Sequence, residues 1–219
     1  MEAKLCVYGC SFSFAYWDAT MGAAGIPEYK IFQGWPSILS EKLNLVCNNR
    51  ADGGIGINTI TYRLDEDILE GKTTKDDIII LSPSYFSRIT LPEIDFSVLD
   101  YDRWLDFLAR YSIESNKVHL MNTKRFVNKI LTLKELGYKI YGWIWEEPIN
   151  SVYLDLIREN LIPAPNGEYG WEKYVLTNTV CMSRPGKLDP SVYPPPADSH
   201  FSIEGHKIAA EQMYKVITN

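Results

Sequence analysis

Residues 4–13 read Lys4-Leu5-Cys6-Val7-Tyr8-Gly9-Cys10-Ser11-Phe12-Ser13, and this stretch sets the expectation for the fold. It opens with a short, largely apolar run that stops at a glycine, the pattern of a buried strand in a parallel sheet. A serine follows two residues after that glycine. Such a serine is either the cap of a turn or helix, or a nucleophile that stands clear of the backbone. The stretch predicts a buried first strand and leaves both interpretations of Ser11 open.

The same pattern recurs along the chain, with helical segments between the strands. Predicted strands cover 4–8, 45–47, 77–81 and 139–144. Predicted helices begin near Pro36 and cover 57–69, two stretches of 101–136, and the chain from 203 onward. In the aromatic and proline-rich region at about 145–197 we expect loops, a short helix at about 154–161 and a strand at 174–176. Alternating strands and helices predict a three-layer α/β/α fold with a mostly parallel sheet.

Length and charge limit the function classes. The chain has 219 residues and 46% apolar residues, which suits one domain over residues 1–219. A net charge of -6 without any Lys/Arg-rich run argues against nucleic acid and anionic membranes, so we expect a small or neutral partner. No apolar stretch is long enough to span a membrane, and no signal-peptide core follows Met1. We therefore expect a cytoplasmic location; the sequence does not predict the oligomeric state.

Cysteine and histidine spacing predicts neither a disulfide framework nor a metal site. The cysteines are Cys6, Cys10, Cys47 and Cys181, and the histidines are His119, His200 and His206. Neither set has the spacing of a zinc site, so we expect thiols, no metal and no cofactor.

A candidate base for Ser11 lies near the other end of the chain, in Asp198-Ser199-His200, just before the last predicted helix. A serine nucleophile needs a histidine to take its proton, and a carboxylate can orient that histidine. The alternative is that Asp198 or Ser202 caps the helix and that His200 is a surface residue.

These motifs together resemble the first and last conserved blocks of the SGNH (GDSL-like) hydrolase superfamily. The resemblance rests on Gly9-Cys10-Ser11-Phe12-Ser13 and on Asp198-Ser199-His200 with Glu204-Gly205-His206. It implies a flavodoxin-like fold with a five-stranded sheet, Ser11 as nucleophile, His200 as base and Asp198 as acid, with Asp189 as a fallback acid. It gives His206 a structural role, and His119 receives none.

The second block is resembled by residues 49–58, where Gly54 is the expected backbone donor to the oxyanion and Gly56 the alternative. A backbone N-H of Cys10 or Ser11 would be the other donor. The chain departs from the family at three points. Cys10 replaces the aspartate of the first block, and the acid and base are separated by one residue instead of two. After the third strand, Ser82-Pro83-Ser84-Tyr85 lacks the usual asparagine. Ser84 is the expected substitute donor, with Ser82 and Arg88 as alternatives.

The carboxyl ends of parallel strands form the ligand-binding edge of such folds, so substrate residues are sought there. We expect Trp17, Tyr85 and Arg88 to contact substrate. Further aromatic residues fall on or near this edge: Tyr16, Phe86, Trp143 and Trp145. For the two tryptophans, a place in the core is an equal alternative. The sequence thus predicts an esterase acting on a small-molecule or carbohydrate ester, such as an O-acetylated sugar. Acyl transfer by the same residues and a non-catalytic glycan-binding domain are the alternatives.

Overall fold

The computed structural model describes residues 2–10, 13, 34–52, 55–83, 85–86, 115–146, 152–178, 201 and 203–219. Four strands form one parallel sheet in the order β2-β1-β3-β4. They are β1 (Lys4–Gly9), β2 (Val46–Asn49), β3 (Ile78–Ser82) and β4 (Lys139–Gly142). The prediction of an α/β fold with a parallel sheet is confirmed, with four strands among the described residues where five were expected.

Six α-helices lie in the described part of the chain. They are α1 (Trp35–Leu43), α2 (Ile57–Leu69), α3 (Ser115–Glu135), α4 (Val152–Asp155), α5 (Trp171–Thr177) and α6 (Ile203–Thr218), and a 3-10 turn covers Arg158–Asn160. Helix α1 has a proline in its first turn, where the missing N-H costs no hydrogen bond. It ends at Asn44 in the left-handed conformation, with φ of 54°.

The sheet separates two buried clusters because alternate residues of β1 point to opposite faces. Cys6 and Tyr8 belong to a cluster that includes residues of α2 and α3. Leu5 and Val7 belong to a second cluster, here called the tryptophan cluster, with residues of α1, α5 and α6. It contains Trp35, Trp143, Trp145 and Trp171 together with Cys10 and Phe201. Helices therefore cover both faces of the sheet, which gives the predicted three layers.

Two sequence-based expectations about residues 139–178 are changed by the structure. The strand predicted at 174–176 is wrong, because these residues lie in α5. Trp171 and Val175 are buried four residues apart, which is helical spacing, and this burial outweighs the strand preference of a short apolar run. Trp143 and Trp145 are fully buried, so both belong to the core and not to the ligand-binding edge.

Cys6, Cys10 and Cys47 are thiols, as expected, and Cys181 lies outside the described residues. No described helix combines the length and the apolar character that crossing a bilayer requires. Within the described ranges, histidine, cysteine and carboxylate side chains do not gather in threes that could hold a metal ion.

Candidate active site

The carboxyl ends of β1, β2 and β3 meet at one edge of the sheet. Gly9 at the end of β1 pairs with Ser82 at the end of β3, and Val7 pairs with Asn49 at the end of β2. The backbone N-H of Asp52 donates to the Gly9 carbonyl over 3.1 Å, which extends the pairing past the end of β2. The predicted nucleophile follows β1 directly in sequence, so this edge is where the candidate site is sought.

Gly9 lets two serine side chains approach the backbone of β1 closely. A Cβ atom at this position would lie 2.7 Å from Ser13 Oγ, 2.9 Å from Ser13 Cβ and 3.1 Å from Ser82 Cβ. The first two distances are shorter than real Cβ contacts, so a larger residue would displace Ser13. Glycine is required here by the close approach of Ser13.

Ser13 is the second serine of the motif, and it is fully buried. Its Oγ lies 2.8 Å from Ser82 Oγ, and its backbone N-H donates to the Cys10 carbonyl over 2.9 Å. Its carbonyl accepts a hydrogen bond from Asn49 Nδ2 over 2.8 Å. A buried hydroxyl held in this way cannot reach a substrate, which excludes Ser13 as nucleophile and leaves Ser11 as the motif's candidate.

The segment after β2 is organised by Asn49. Its Oδ1 accepts a hydrogen bond from the Ala51 backbone N-H over 3.1 Å, while its Nδ2 donates to Ser13. Asp52 pairs with Arg63 of α2 at 2.9 Å. Gly56, the alternative oxyanion donor, is the residue that precedes the first turn of α2. Gly54, the preferred donor, lies outside the described residues.

At the end of β3 and just after it, the structure describes three of the predicted site residues, Ser82, Tyr85 and Phe86. Ser82 is fully buried, and its hydroxyl is engaged with Ser13. Tyr85 is half-buried and packs against the tryptophan cluster, while Phe86 is fully buried in the opposite cluster. Phe86 is therefore a core residue and not a substrate contact. Ser84 and Arg88 lie outside the described residues.

The last block is represented by Phe201, which directly follows the predicted base in sequence. Its ring packs against those of Trp143, Trp145 and Trp171, with centroids 5.7, 5.5 and 5.9 Å away. The ring of His206 lies 5.3 Å from that of Phe201. Since Trp143 follows the end of β4, Phe201 lies at the same edge of the sheet as Cys10. Asp198, His200 and the fallback acid Asp189 lie outside the described residues.

His206 has the structural contact that the resemblance implied for it. It is buried, and its Nδ1 accepts a hydrogen bond from the Trp35 backbone N-H over 3.1 Å. Trp35 is the first residue of α1, where backbone N-H groups have no partner within the helix. The imidazole of α6 thus caps the start of α1 and joins the two helices on this face.

Buried His119, in the first turns of α3, and partly buried Glu146, which follows β4, form an ionisable pair that was not predicted from the sequence. His119 is only 3% exposed, neither of its ring nitrogens has a hydrogen bond, and its Nε2 lies 3.8 Å from Glu146 Oε2. Burial lowers the pKa of His119. Burial likewise raises the pKa of Glu146, against the effect of a hydrogen bond from the Phe86 backbone. The sequence signal was the spacing of His119, Asn122, Thr123 and Phe126, which puts polar residues on the buried face of α3.

Of the nine residues predicted for catalysis, the oxyanion hole and substrate binding, the structure describes Cys10 and Tyr85. Cys10 is fully buried in the tryptophan cluster, so its side chain belongs to the core and only its backbone could serve the site. The remaining predicted site residues lie outside the described residues: Ser11, Trp17, Gly54, Ser84, Arg88, Asp198 and His200. The described residues therefore give the frame around the candidate site, and the triad stays a prediction.

The chain matches no protein-family model, and it matches none of the curated proteins with which it was compared. Among solved structures it is similar to that of a candidate lipolytic protein of the G-D-S-L family from Desulfitobacterium hafniense DCB-2. The two chains share 14% identity with a TM-score of 0.46, and the similarity covers 98% of this chain and 99% of the other. The functional proposal for this chain rests on its own motifs and contacts.

Proposed function

We propose that this chain is a serine hydrolase that cleaves a carboxylic ester, with Ser11 as nucleophile, His200 as base and Asp198 as the acid that orients it. One observation carries the proposal. Cys10 and Trp143 directly follow β1 and β4 at the carboxyl edge of the sheet, and Phe201, which packs against Trp143, belongs to the same buried cluster as Cys10 although the two are far apart in sequence. Ser11 is bonded to Cys10 and His200 to Phe201, and consecutive Cα atoms are about 3.8 Å apart. The frame thus supports a meeting of nucleophile and base at this edge.

In the first half of the reaction, Ser11 Oγ attacks the ester carbonyl carbon while His200 takes the hydroxyl proton. The electron pair of the carbonyl moves onto its oxygen, and backbone N-H groups of Gly54 and of Ser11 or Cys10 stabilise the resulting anion. Ser84 is the proposed side-chain donor. The tetrahedral intermediate collapses, the ester C-O bond breaks, and the leaving oxygen takes the proton from His200 and departs as an alcohol.

In the second half, water attacks the acyl-serine while His200 takes one of its protons. Collapse of this second intermediate breaks the bond to Ser11 Oγ, which recovers the proton from His200, and the carboxylic acid leaves. Asp198 accepts a hydrogen bond from the imidazole in both halves and stabilises its protonated form.

The proposed substrate class is a carboxylic ester in general. Aromatic side chains at the edge of the sheet would favour a carbohydrate ester, but most of the described ones are buried in the core. Phe86, Trp143 and Trp145 are core residues, so Tyr85 is the remaining described aromatic of that group. An acetylated sugar stays one candidate substrate among esters.

Hydrolysis of p-nitrophenyl acetate tests the proposal. We expect the wild type to hydrolyse it and Ser11→Ala and His200→Ala to lose about 10³-fold or more in kcat. Ser40→Ala is the matched control, because Ser40 is a buried serine in α1 whose Oγ donates to the Ser37 carbonyl. A fluorophosphonate probe should label the wild type and Ser40→Ala but not Ser11→Ala. Equal rates in wild type and Ser11→Ala would overturn the proposal, and a folded but inactive wild type would favour the glycan-binding alternative.

A further inference from the structure

Ser82 and Asn49 both form hydrogen bonds with Ser13, the last residue of the first motif. We propose that both are positioning residues, which fix the backbone on the carboxyl side of Ser11 in the geometry that the nucleophile needs. The inference rests on the proposed function and extends it, because it assigns a role to the altered third block. Ser82 would then serve the site by holding Ser13, and not as a donor to the oxyanion.

Ser13 is fixed from three strands at once. Its N-H bonds to Cys10 after β1, its Oγ to Ser82 at the end of β3, and its carbonyl to Asn49 at the end of β2. Ser13 and Ser82 are both fully buried, so their hydrogen bond does not compete with water. A buried hydrogen bond that loses one partner leaves the other unsatisfied, which makes this contact costly to break.

The amide of Asn49 is fixed in one orientation. Its Oδ1 accepts from the Ala51 N-H, and its Nδ2 donates to the Ser13 carbonyl. Exchanging the amide oxygen and nitrogen would set oxygen against oxygen at Ser13 and two donors against each other at Ala51. Ala51, which follows β2, and Ser13, which ends the first motif, are therefore coupled through the side chain of Asn49.

The space at Gly9 leaves little freedom for a shift of Ser13. Ser13 Oγ and Cβ both lie within 3 Å of the position where a Cβ of residue 9 would stand. Ser13 thus packs directly on the β1 backbone while its polar groups are held by the two neighbouring strands. Displacement of a reacting group by about 1 Å can lower a rate by about 100-fold, so supporting contacts of this kind bear on catalysis as well as on stability.

A double-mutant cycle on Ser13 and Ser82 tests the role, with p-nitrophenyl acetate as substrate. We expect Ser82→Ala and Ser13→Ala each to lower kcat about 10-fold per folded molecule, with KM changed less than about 2-fold. Because both substitutions remove the same hydrogen bond, the double variant should be no slower than about the slower single variant. Asn49→Asp, which replaces the Nδ2 donor by a carboxylate oxygen facing the Ser13 carbonyl, should also lower kcat.

Ser40→Ala is again the matched buried-serine control, and the rate of fluorophosphonate labelling of Ser11 is the second readout. A purely structural role would lower the melting temperature of Ser82→Ala while leaving kcat per folded molecule equal to that of Ser40→Ala, and this result would overturn the inference. If Ser82→Ala does not fold, kcat per folded molecule of Asn49→Asp is compared with that of Ser40→Ala instead, and equal values would again overturn the inference. If Ser11→Ala is inactive but Ser13→Ala, Ser82→Ala and Asn49→Asp are as active as the wild type, this inference is contradicted and the proposed function is not. A folded wild type without activity or labelling contradicts the proposed function and the inference with it.

Discussion

The ring of Phe201 packs against the indole of Trp143, with 5.7 Å between centroids and 48° between ring planes. Trp143 directly follows β4, and its backbone N-H still pairs with the Leu81 carbonyl of β3 over 3.0 Å. Phe201 is therefore fixed to the sheet through the core. This contact connects the last motif of the sequence to the edge where the first motif lies.

Phe201→Ala is expected to lower both stability and activity. Removal of a fully buried phenylalanine costs about 3–5 kcal/mol. Since His200 is bonded to Phe201, we expect loss of the ring to displace the proposed base as well. Urea denaturation and kcat for p-nitrophenyl acetate, measured where the variant is still folded, check the two effects. Phe126→Ala is the control, because Phe126 is equally buried in the cluster on the opposite face. It should lose comparable stability but keep its kcat; full activity of folded Phe201→Ala would contradict the prediction.

Gly9→Ala is expected to destabilise the protein by about 1–3 kcal/mol, since the added methyl group overlaps Ser13. It should also lower kcat, because Ser13 is displaced from Ser82 and Asn49. Gly71→Ala is a contrasting variant: Gly71 has a φ of +70° but open space around a Cβ. That change should cost about 1–2 kcal/mol through backbone strain alone and leave kcat unchanged. Thermal unfolding and p-nitrophenyl acetate hydrolysis measure both variants, and a wild-type kcat in Gly9→Ala would contradict the expectation.

The order of strands and helices was predictable because burial imposes periodicity on local sequence. The run at 4–8 and the helical spacing at 57–69 both correspond to observed elements, β1 and α2. The strand prediction at 174–176 was wrong because a run of three residues is too short to show a period. The burial of Trp171 favours the helix instead.

Local sequence does not predict contacts between residues that are distant along the chain. Ser13 and Ser82 are 69 positions apart, and nothing local in either segment indicates that their hydroxyl groups meet. His119 and Glu146 likewise come from different elements, and only the packing of α3 against β4 brings them within 3.8 Å. Short motifs predicted the residue types of the candidate site. The side chains that support the site could be identified only from the folded structure.

Asp67→Asn is expected to destabilise the protein by about 2 kcal/mol. Asp67 is fully buried, accepts a hydrogen bond from Tyr8 over 2.9 Å and pairs with Arg50 at 3.0 Å. Hydrogen bonds to charged groups contribute about 1.5–3 kcal/mol, and the partial exposure of Arg50 limits the ion-pair part. Asp65→Asn on the same helix is the matched control, since Asp65 in its pair with Lys129 is about half exposed, unlike the fully buried Asp67, and its loss should cost less than about 1 kcal/mol. Urea denaturation measures both, and equal losses would contradict the prediction.

The buried imidazole of His119 is expected to make stability depend on pH. Burial lowers its pKa in the folded protein below the value near 6.5 of the unfolded chain. The unfolded chain therefore binds more protons than the folded protein as the pH falls below about 6.5. The stability contributed by neutral His119 is complete above about pH 6.5 and is lost as the pH falls through the folded pKa.

His119→Leu removes this titration while His200 and His206 stay in both proteins. Between pH 7.5 and pH 5.5, the free energy of unfolding should fall more in the wild type than in His119→Leu. Glu146, which faces His119, has a raised pKa and the opposite sign: its contribution is complete below about pH 4.5 and is lost as the pH rises through the folded pKa. Glu172 adds to that rise through its negative charge. Urea denaturation at both pH values, repeated with Glu146→Gln, separates the two groups. A wild type that gains stability on acidification relative to His119→Leu would show that Glu146 holds the imidazole in its charged form.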